Sequence, residues 1–260
     1  MITLRNIIEI TNIKNVIGDE ILIKEIRANV QNGDVYIARN VFSEDLILRI
    51  RKYLVKVGQS SIPNYQKIEL GAPNFHRMNQ VDPRAYVKGC FHQFVFFPWN
   101  QDYFNLFELS KEVYFLKNLI SNLPADKFLK SEPEDGCTSR LAVQFYPQGQ
   151  GFLNKHRDPV DHHQLTVPIM IMSKKGVDFQ SGGAYVEKEN GEKVILDDIC
   201  NIGDVIFFNA HMAHGVEKID PETKTEWLDF KGRWMLLFAV NKLFSNTTIS
   251  DAVDLDKNDK

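Results

Sequence analysis

The sequence predicts a mainly β fold with flanking helices, on three observations. Short strand-like runs succeed one another through the second half of the chain. Turn residues separate them. The first half instead carries apolar residues at helical spacing. The eight strand-like runs are 140–146, 152–157, 164–173, 183–187, 193–196, 204–209, 214–219 and 233–241. Many short strands at this spacing mean a sandwich or barrel, and eight suggest a double-sheet jelly roll. The expectation is a double-stranded β-helix with the N-terminal helices packed on its major sheet.

Ser43 can cap a helix whose first turn carries Glu44 and Asp45, where negative charge suits the helix dipole. Leu46, Ile47, Ile50, Leu54 and Val57 follow at helical spacing, and Gly58 can end it. A second helix is predicted over about 102–123, stopped by Pro124. Between them, 71–100 is aromatic and turn-rich, and reads as a long irregular lid. Pro147-Gln148-Gly149, Ser181-Gly182-Gly183 and Gly203-Asp204 punctuate the strands, and Asn190-Gly191 signals a hairpin. The expected organisation is one domain over 1–260. Helical support and lid occupy about 35–135, the jelly-roll core about 138–243, and a polar, fraying tail 251–260.

Composition narrows the function. The chain has 260 residues, 43% hydrophobic and 25% charged, enough apolar material for a core. No run approaches the ~18–20 apolar residues of a membrane span, and no secretory signal is evident. Cys90, Cys137 and Cys200 are widely spaced and fit neither a disulfide framework nor a zinc motif, which favours a reducing, cytoplasmic setting. The net charge of −3 has no basic block, which disfavours nucleic acid as a partner.

Three elements carry candidate chemistry. In His156-Arg157-Asp158, residues i and i+2 of an extended chain share a face, so the imidazole and the carboxylate can meet one cation. In His211-Met212-Ala213-His214-Gly215-Val216, either histidine can supply a third ligand. His214 is preferred because an apolar strand residue follows it, whereas His211 sits in the preceding turn. Two imidazoles and one carboxylate make the facial triad that binds Fe(II) and leaves positions open. In Gly232-Arg233-Trp234-Met235, a cation opens an apolar strand. A buried arginine needs an anion, either a ligand carboxylate held by the guanidinium fork or a structural salt bridge.

Over about 138–241 these pieces resemble the Fe(II)- and 2-oxoglutarate-dependent oxygenases. The approach Tyr146-Pro147-Gln148-Gly149-Gln150-Gly151 to the first ligand is similar to that of the prolyl-hydroxylase branch, beside the phytanoyl-type small-molecule hydroxylases. The resemblance implies His156, Asp158 and His214 as catalytic iron ligands and Arg233 as holder of the distal carboxylate of 2-oxoglutarate. Tyr146 would donate a hydrogen bond near this cosubstrate or serve as a buried aromatic. Gln144 and Thr166 could line the same cavity. Two departures stand out: 220–231 makes the gap between His214 and Arg233 long, and Val167-Pro168-Ile169-Met170-Ile171-Met172 offers no tyrosine. The carboxylate of Asp158 stands where related halogenases have a small residue, so the resemblance implies hydroxylation or desaturation.

With Fe(II), 2-oxoglutarate and O₂, the implied activity is hydroxylation of an unactivated C–H bond of a small metabolite, such as an amino acid, releasing succinate and CO₂. Phe207, Phe208, Trp234 and Met235 would pack around the cavity. His76, Arg77, Arg84 and His92 in the lid could recognise a polar substrate or be exposed. His162 and His163 read as exposed turn residues before substrate contacts. Alternatives are a prolyl-type protein hydroxylase, a cupin-like metal enzyme, and a non-catalytic jelly-roll binding module. A nucleic-acid demethylase is disfavoured, because the chain after Arg233 is apolar and lacks a second arginine.

Overall fold

The computed structural model describes residues 2–256. Its elements are β1 (Ile7–Ile10), α1 (Ile13–Ile17), α2 (Glu20–Gln31), β2 (Val35–Ala38), α3 (Glu44–Ser60), β3 (Phe75–Gln80), β4 (Gly89–Phe96), α4 (Leu106–Leu109) and α5 (Lys111–Ile120). These continue as β5 (Cys137–Pro147), β6 (Phe152–Arg157), β7 (Ile169–Ile171), β8 (Gly183–Glu187), β9 (Lys193–Ile195), β10 (Val205–Phe207), β11 (His214–Glu217), β12 (Gly232–Lys242) and β13 (Val253–Asp254).

Each of the eight predicted strand runs coincides with or overlaps one of β5 to β12, of which β5 and β12 are longer than predicted. The eight strands form two four-stranded layers: β10-β7-β12-β5 in one and β6-β11-β8-β9 in the other. This is a double-stranded β-helix. The run 164–173 contracts to β7, because Pro168 has no N–H for the ladder and the preceding residues form a loop. The hairpin at Asn190-Gly191 joins β8 to β9, with Gly191 at φ +81°.

The alternation along β5 and β12 builds two different interiors. Leu141, Val143, Phe145, Trp234, Leu236 and Phe238 face the helices, packing with Ile23, Ile47, Leu54 and Leu116 in one large cluster. Tyr146 and Met235 face the space between the two sheets, with Phe208, Ala184 and Val186. Phe207 and Trp234 therefore belong to the helix layer, and Phe208 and Met235 to the cavity side.

The helix beginning at Glu44 is capped by Ser43, whose Oγ accepts from Leu46 N at 3.4 Å. It does not end at Gly58 but runs to Ser60. Gly58 is there for packing: a Cβ at this position would lie 2.2 Å from Phe230 Cζ. The segment predicted as one helix over 102–123 is two, α4 and α5, separated at Ser110.

Five of the described strands lie outside the predicted runs. Strands β1 and β2 pair in parallel and extend the major sheet beyond β10, and α2 packs nearby. The expected irregular lid contains an antiparallel pair, β3 with β4, that extends the same sheet beyond β5. The expected fraying tail contains β13, where Val253 and Asp254 pair with Arg157 and His156. Asp254 also accepts from Lys88 N at 2.8 Å, which ties the segment down. Residues 257–260 of that tail lie outside the described residues. No described helix is long and apolar enough to cross a membrane.

Candidate metal centre and cavity

Strands β6 and β11 are antiparallel neighbours, and His156 stands directly opposite His214 in their register. The ring centroids are 4.1 Å apart. Asp158 lies just past the end of β6, held by its N–H bond to the carbonyl of Ala210 at 2.9 Å. Its Oδ1 is 4.0 Å from His156 Nε2 and its Oδ2 is 3.5 Å from His214 Nε2. One ligand atom from each of the three residues falls within 4.8 Å of the others, the arrangement needed to share one ion.

The tautomers follow from the backbone. His156 Nδ1 lies 2.9 Å from the carbonyl of Asn154, and His214 Nδ1 lies 2.8 Å from the carbonyl of Met212. A carbonyl can only accept, so both Nδ1 atoms carry hydrogen and both Nε2 lone pairs face Asp158. Burial pushes the His156 imidazole down to about 4, the neighbouring His214 adds to this, and Asp158 opposes it. Burial works to raise the Asp158 carboxyl, but the adjacent His214, His156 and Arg140 outweigh it and hold it below its usual range. His156 is thus held as a neutral imidazole and Asp158 as a carboxylate, the protonation states a metal requires. His211 is exposed and lies outside this cluster, in which His214 is the second imidazole.

Arg233 is fully buried. Gly232 precedes it at φ +142°, where a Cβ would lie 2.2 Å from the carbonyl of Tyr146, so only glycine admits this strand entry. Arg233 Nε donates to Asp197 Oδ1 at 2.8 Å and Oδ2 at 2.9 Å. Asp197 in turn accepts from Ala184 N at 2.7 Å. Both terminal nitrogens of the guanidinium have no hydrogen-bond partner. The structural salt bridge is present through Nε, and the two terminal nitrogens are left without a partner. Asp197 was not foreseen, because an aspartate in a turn after a short strand carries no distinguishing local pattern.

Tyr146 is paired with Arg233 in the β5–β12 register and its ring centroid lies 5.7 Å from the guanidinium carbon. Its hydroxyl donates to Gln144 Oε1 at 2.7 Å. His156, Asp158, His214, Tyr146 and Gln144 line one cavity of about 630 Å³, together with Ala184, Phe208 and Met235. Thr166 is buried in a bridge to Asn209 and its neighbour Val167 lines the cavity instead.

The lid residues divide by strand parity. Arg77 and Arg84 line the cavity. His76 and His92 point the other way, stacked on each other with Nε2 of His76 2.9 Å from Nδ1 of His92. Of the two turn histidines, His162 is exposed, whereas His163 is buried and lines the cavity.

No protein-family model matches the sequence, and no curated protein matches it. Solved structures do share its fold. A Pseudomonas putida prolyl-4-hydroxylase superposes with a TM-score of 0.53 at 11% identity, covering 83% of this chain and 96% of that one. A Trichoplax adhaerens prolyl hydroxylase, in complex with a hypoxia inducible factor peptide fragment, gives 0.52 at 11% identity, covering 89% and 93%. A full-length Neurospora crassa protein in complex with alpha-KG and thymine gives 0.51 at 13% identity, covering 91% and 85%. At these identities the likeness establishes the fold. The class defined by fold and site together is a double-stranded β-helix with a His-Asp-His cluster on the wall of its cavity.

Proposed function

We propose that this chain is an Fe(II)- and 2-oxoglutarate-dependent dioxygenase that hydroxylates an unactivated C–H bond of a small metabolite. One observation carries the reading: a cluster of three possible ligands lines the cavity, and next to the cavity-lining ring of Tyr146 lies a fully buried guanidinium with both terminal nitrogens unpartnered.

The residues fit the groups they would hold. Two imidazoles and one carboxylate suit Fe(II) and leave adjacent positions open. A buried cation with two orphaned NH₂ groups suits a carboxylate, which accepts two parallel hydrogen bonds from a guanidinium edge. Bound here, iron with 2-oxoglutarate and O₂ supplies oxidative decarboxylation to succinate and CO₂, coupled to transfer of one oxygen atom into a C–H bond.

The protein's part is geometric. His156, Asp158 and His214 hold the metal, with Asn154 and Met212 carbonyls fixing both imidazoles. Asp197 fixes the guanidinium of Arg233, so that its free edge is oriented before the cosubstrate arrives. Tyr146 covers that guanidinium, and its hydroxyl, bound to Gln144, gives the adjoining wall a polar edge. Phe208, Met235, Ala184 and Ile169 supply apolar lining that excludes water from the reacting atoms. A cavity of about 630 Å³ is in the range of small-molecule sites. Residues from the 65–68 and 244–252 segments wall it, which supports a metabolite over a peptide as substrate.

The test is anaerobic addition of Fe(II) and then 2-oxoglutarate. A weak visible charge-transfer band is expected, followed by succinate on exposure to air. Absence of both overturns the assignment.

A further inference from the structure

The cavity contains a second pair of cations that the chemistry above does not use. Arg140 lies on β5 and Arg77 on β3, and both line the cavity. Among the described residues, no hydrogen bond or ion pair engages the Arg140 guanidinium, and its Nε is buried without a partner. Arg77 Nε is likewise buried and unpartnered. The nearest carboxylate to Arg77 is Asp82, at 3.8 Å, beyond hydrogen-bond reach. Asp82 is already engaged by Arg84 through contacts of 2.9 and 2.8 Å.

Buried cations are expensive unless an anion meets them. Here the two guanidinium groups also repel each other. Burial, and then Arg77, pulls Arg140 down to about 10, with Asp158 opposing. The cavity wall thus holds two half-buried guanidinium groups, Arg140 with no ion pair among the described residues but close enough to Asp158 to feel its charge, and Arg77 with only the 3.8 Å contact to a shared Asp82.

Arg140 and Arg233 cannot serve the same small dicarboxylate. Arg233 is paired with Tyr146 in the sheet register, and Arg140 lies six residues earlier on the same strand. At ~3.4 Å per residue that is about 20 Å along β5. Between these ends run Gln93 and Gln144, cross-strand neighbours that line the cavity, with Arg77 opposite Gln93. Arg233 therefore lies beside Tyr146 at one end of this stretch of β5, and Arg140 lines the cavity toward the other, with Arg77 two strands away at the level of Gln144.

We propose that Arg140 and Arg77 form the substrate-recognition subsite, holding the carboxylate of an organic or amino acid whose C–H bond then faces His156, Asp158 and His214. The proposal rests on the dioxygenase reading for the role of the cluster, but its binding step does not. The two amides on the same wall add donors and acceptors for a second polar group on such a substrate.

The test is a ligand-induced thermal shift. Probes are the common L-amino acids, 2-hydroxy acids and short fatty acids, each against its primary amide, with inorganic phosphate beside them. It is run on the metal-free and on the Fe(II)-loaded protein. At least one acid is expected to raise Tm where its amide does not. Arg140→Gln is expected to weaken that acid roughly 10- to 100-fold, the loss of charge-assisted hydrogen bonds. Arg77→Gln should weaken it too, and Arg140→Lys should recover part of it.

An acid and its amide binding equally, an unchanged affinity in Arg140→Gln, a response to phosphate alone, or no response to any acid overturns the proposal. A wild-type protein that binds an acid but gives no charge-transfer band and no succinate overturns the dioxygenase reading and leaves the anion subsite standing.

Discussion

His156 and His214 are direct cross-strand partners, each with its Nδ1 hydrogen given to a carbonyl two residues upstream. The spacing of these two candidate ligands is thereby set by a β-ladder and not by loops, which is the more exact way to hold a metal site. Both imidazoles are orientated before any ion arrives.

His214→Ala removes one of three ligands while leaving the strand pairing in place. Iron content after equilibrium dialysis is expected to fall by more than the roughly 10–100-fold typical of a lost outer-shell partner. Succinate formation should fall with it, while the far-ultraviolet circular dichroism stays unchanged. Retained iron and turnover would show that another group is the ligand.

Asp197→Asn acts through Arg233. It leaves a fully buried guanidinium with no carboxylate, and removing one partner of such a pair costs about 3–5 kcal/mol. Urea denaturation should show that loss. The KM for 2-oxoglutarate is expected to rise, because the free edge of the guanidinium is no longer fixed. An unchanged midpoint and KM would mean that Asp197 has no positioning role.

Lys117 on α5 is fully buried, and its Nζ has no hydrogen-bond partner. Burial pulls its ammonium down to about 7. In the unfolded chain the group stays protonated to about pH 10.4. Between these values the unfolded state binds more protons, so stability rises with pH across that window. The cost of this lysine is then fully present at and below pH 7 and fades toward pH 10. Lys117→Met should therefore stabilise the protein by about 1–3 kcal/mol at pH 7. The gain over wild type should shrink as pH rises, read from urea midpoints at both ends. A pH-independent difference would refute the burial of a charged group here.

Gly58→Ala pushes a methyl group into the ring of Phe230. Helix propensity favours alanine by ~1 kcal/mol, but overpacking costs ~1–3 kcal/mol. A net loss is expected, and Phe230→Leu in the same chain should relieve it. A stabilised single variant would mean that the ring moves freely.

Much of this was legible in the sequence because the relevant patterns are local. Each predicted strand run overlaps a strand, and Gly183–Glu187 matches to the residue. His156 and Asp158 share a face because any extended i, i+2 pair does. The β3–β4 pair was hidden for the opposite reason. Arg77, Asn79 and Gln93 point into an internal cavity, so the polar positions that mark a solvent face here mark an interior wall. Gly58 misled in a similar way: a glycine near a helix end resembles a stop, while its actual use is a contact with a residue far along the chain.

The sequence by itself determined the strand run, the helical support and the identity of the residues able to bind a metal, since these depend on residue type and period. The tertiary structure decided which groups meet. Register set His214 against His156, and chain folding brought Asp197 to Arg233, left Arg140 with no ion-pair partner among the described residues, and left Arg77 only an Asp82 shared with Arg84. The physical reason is range: period and capping act within a few residues, whereas charge compensation depends on neighbours that only long-range packing supplies.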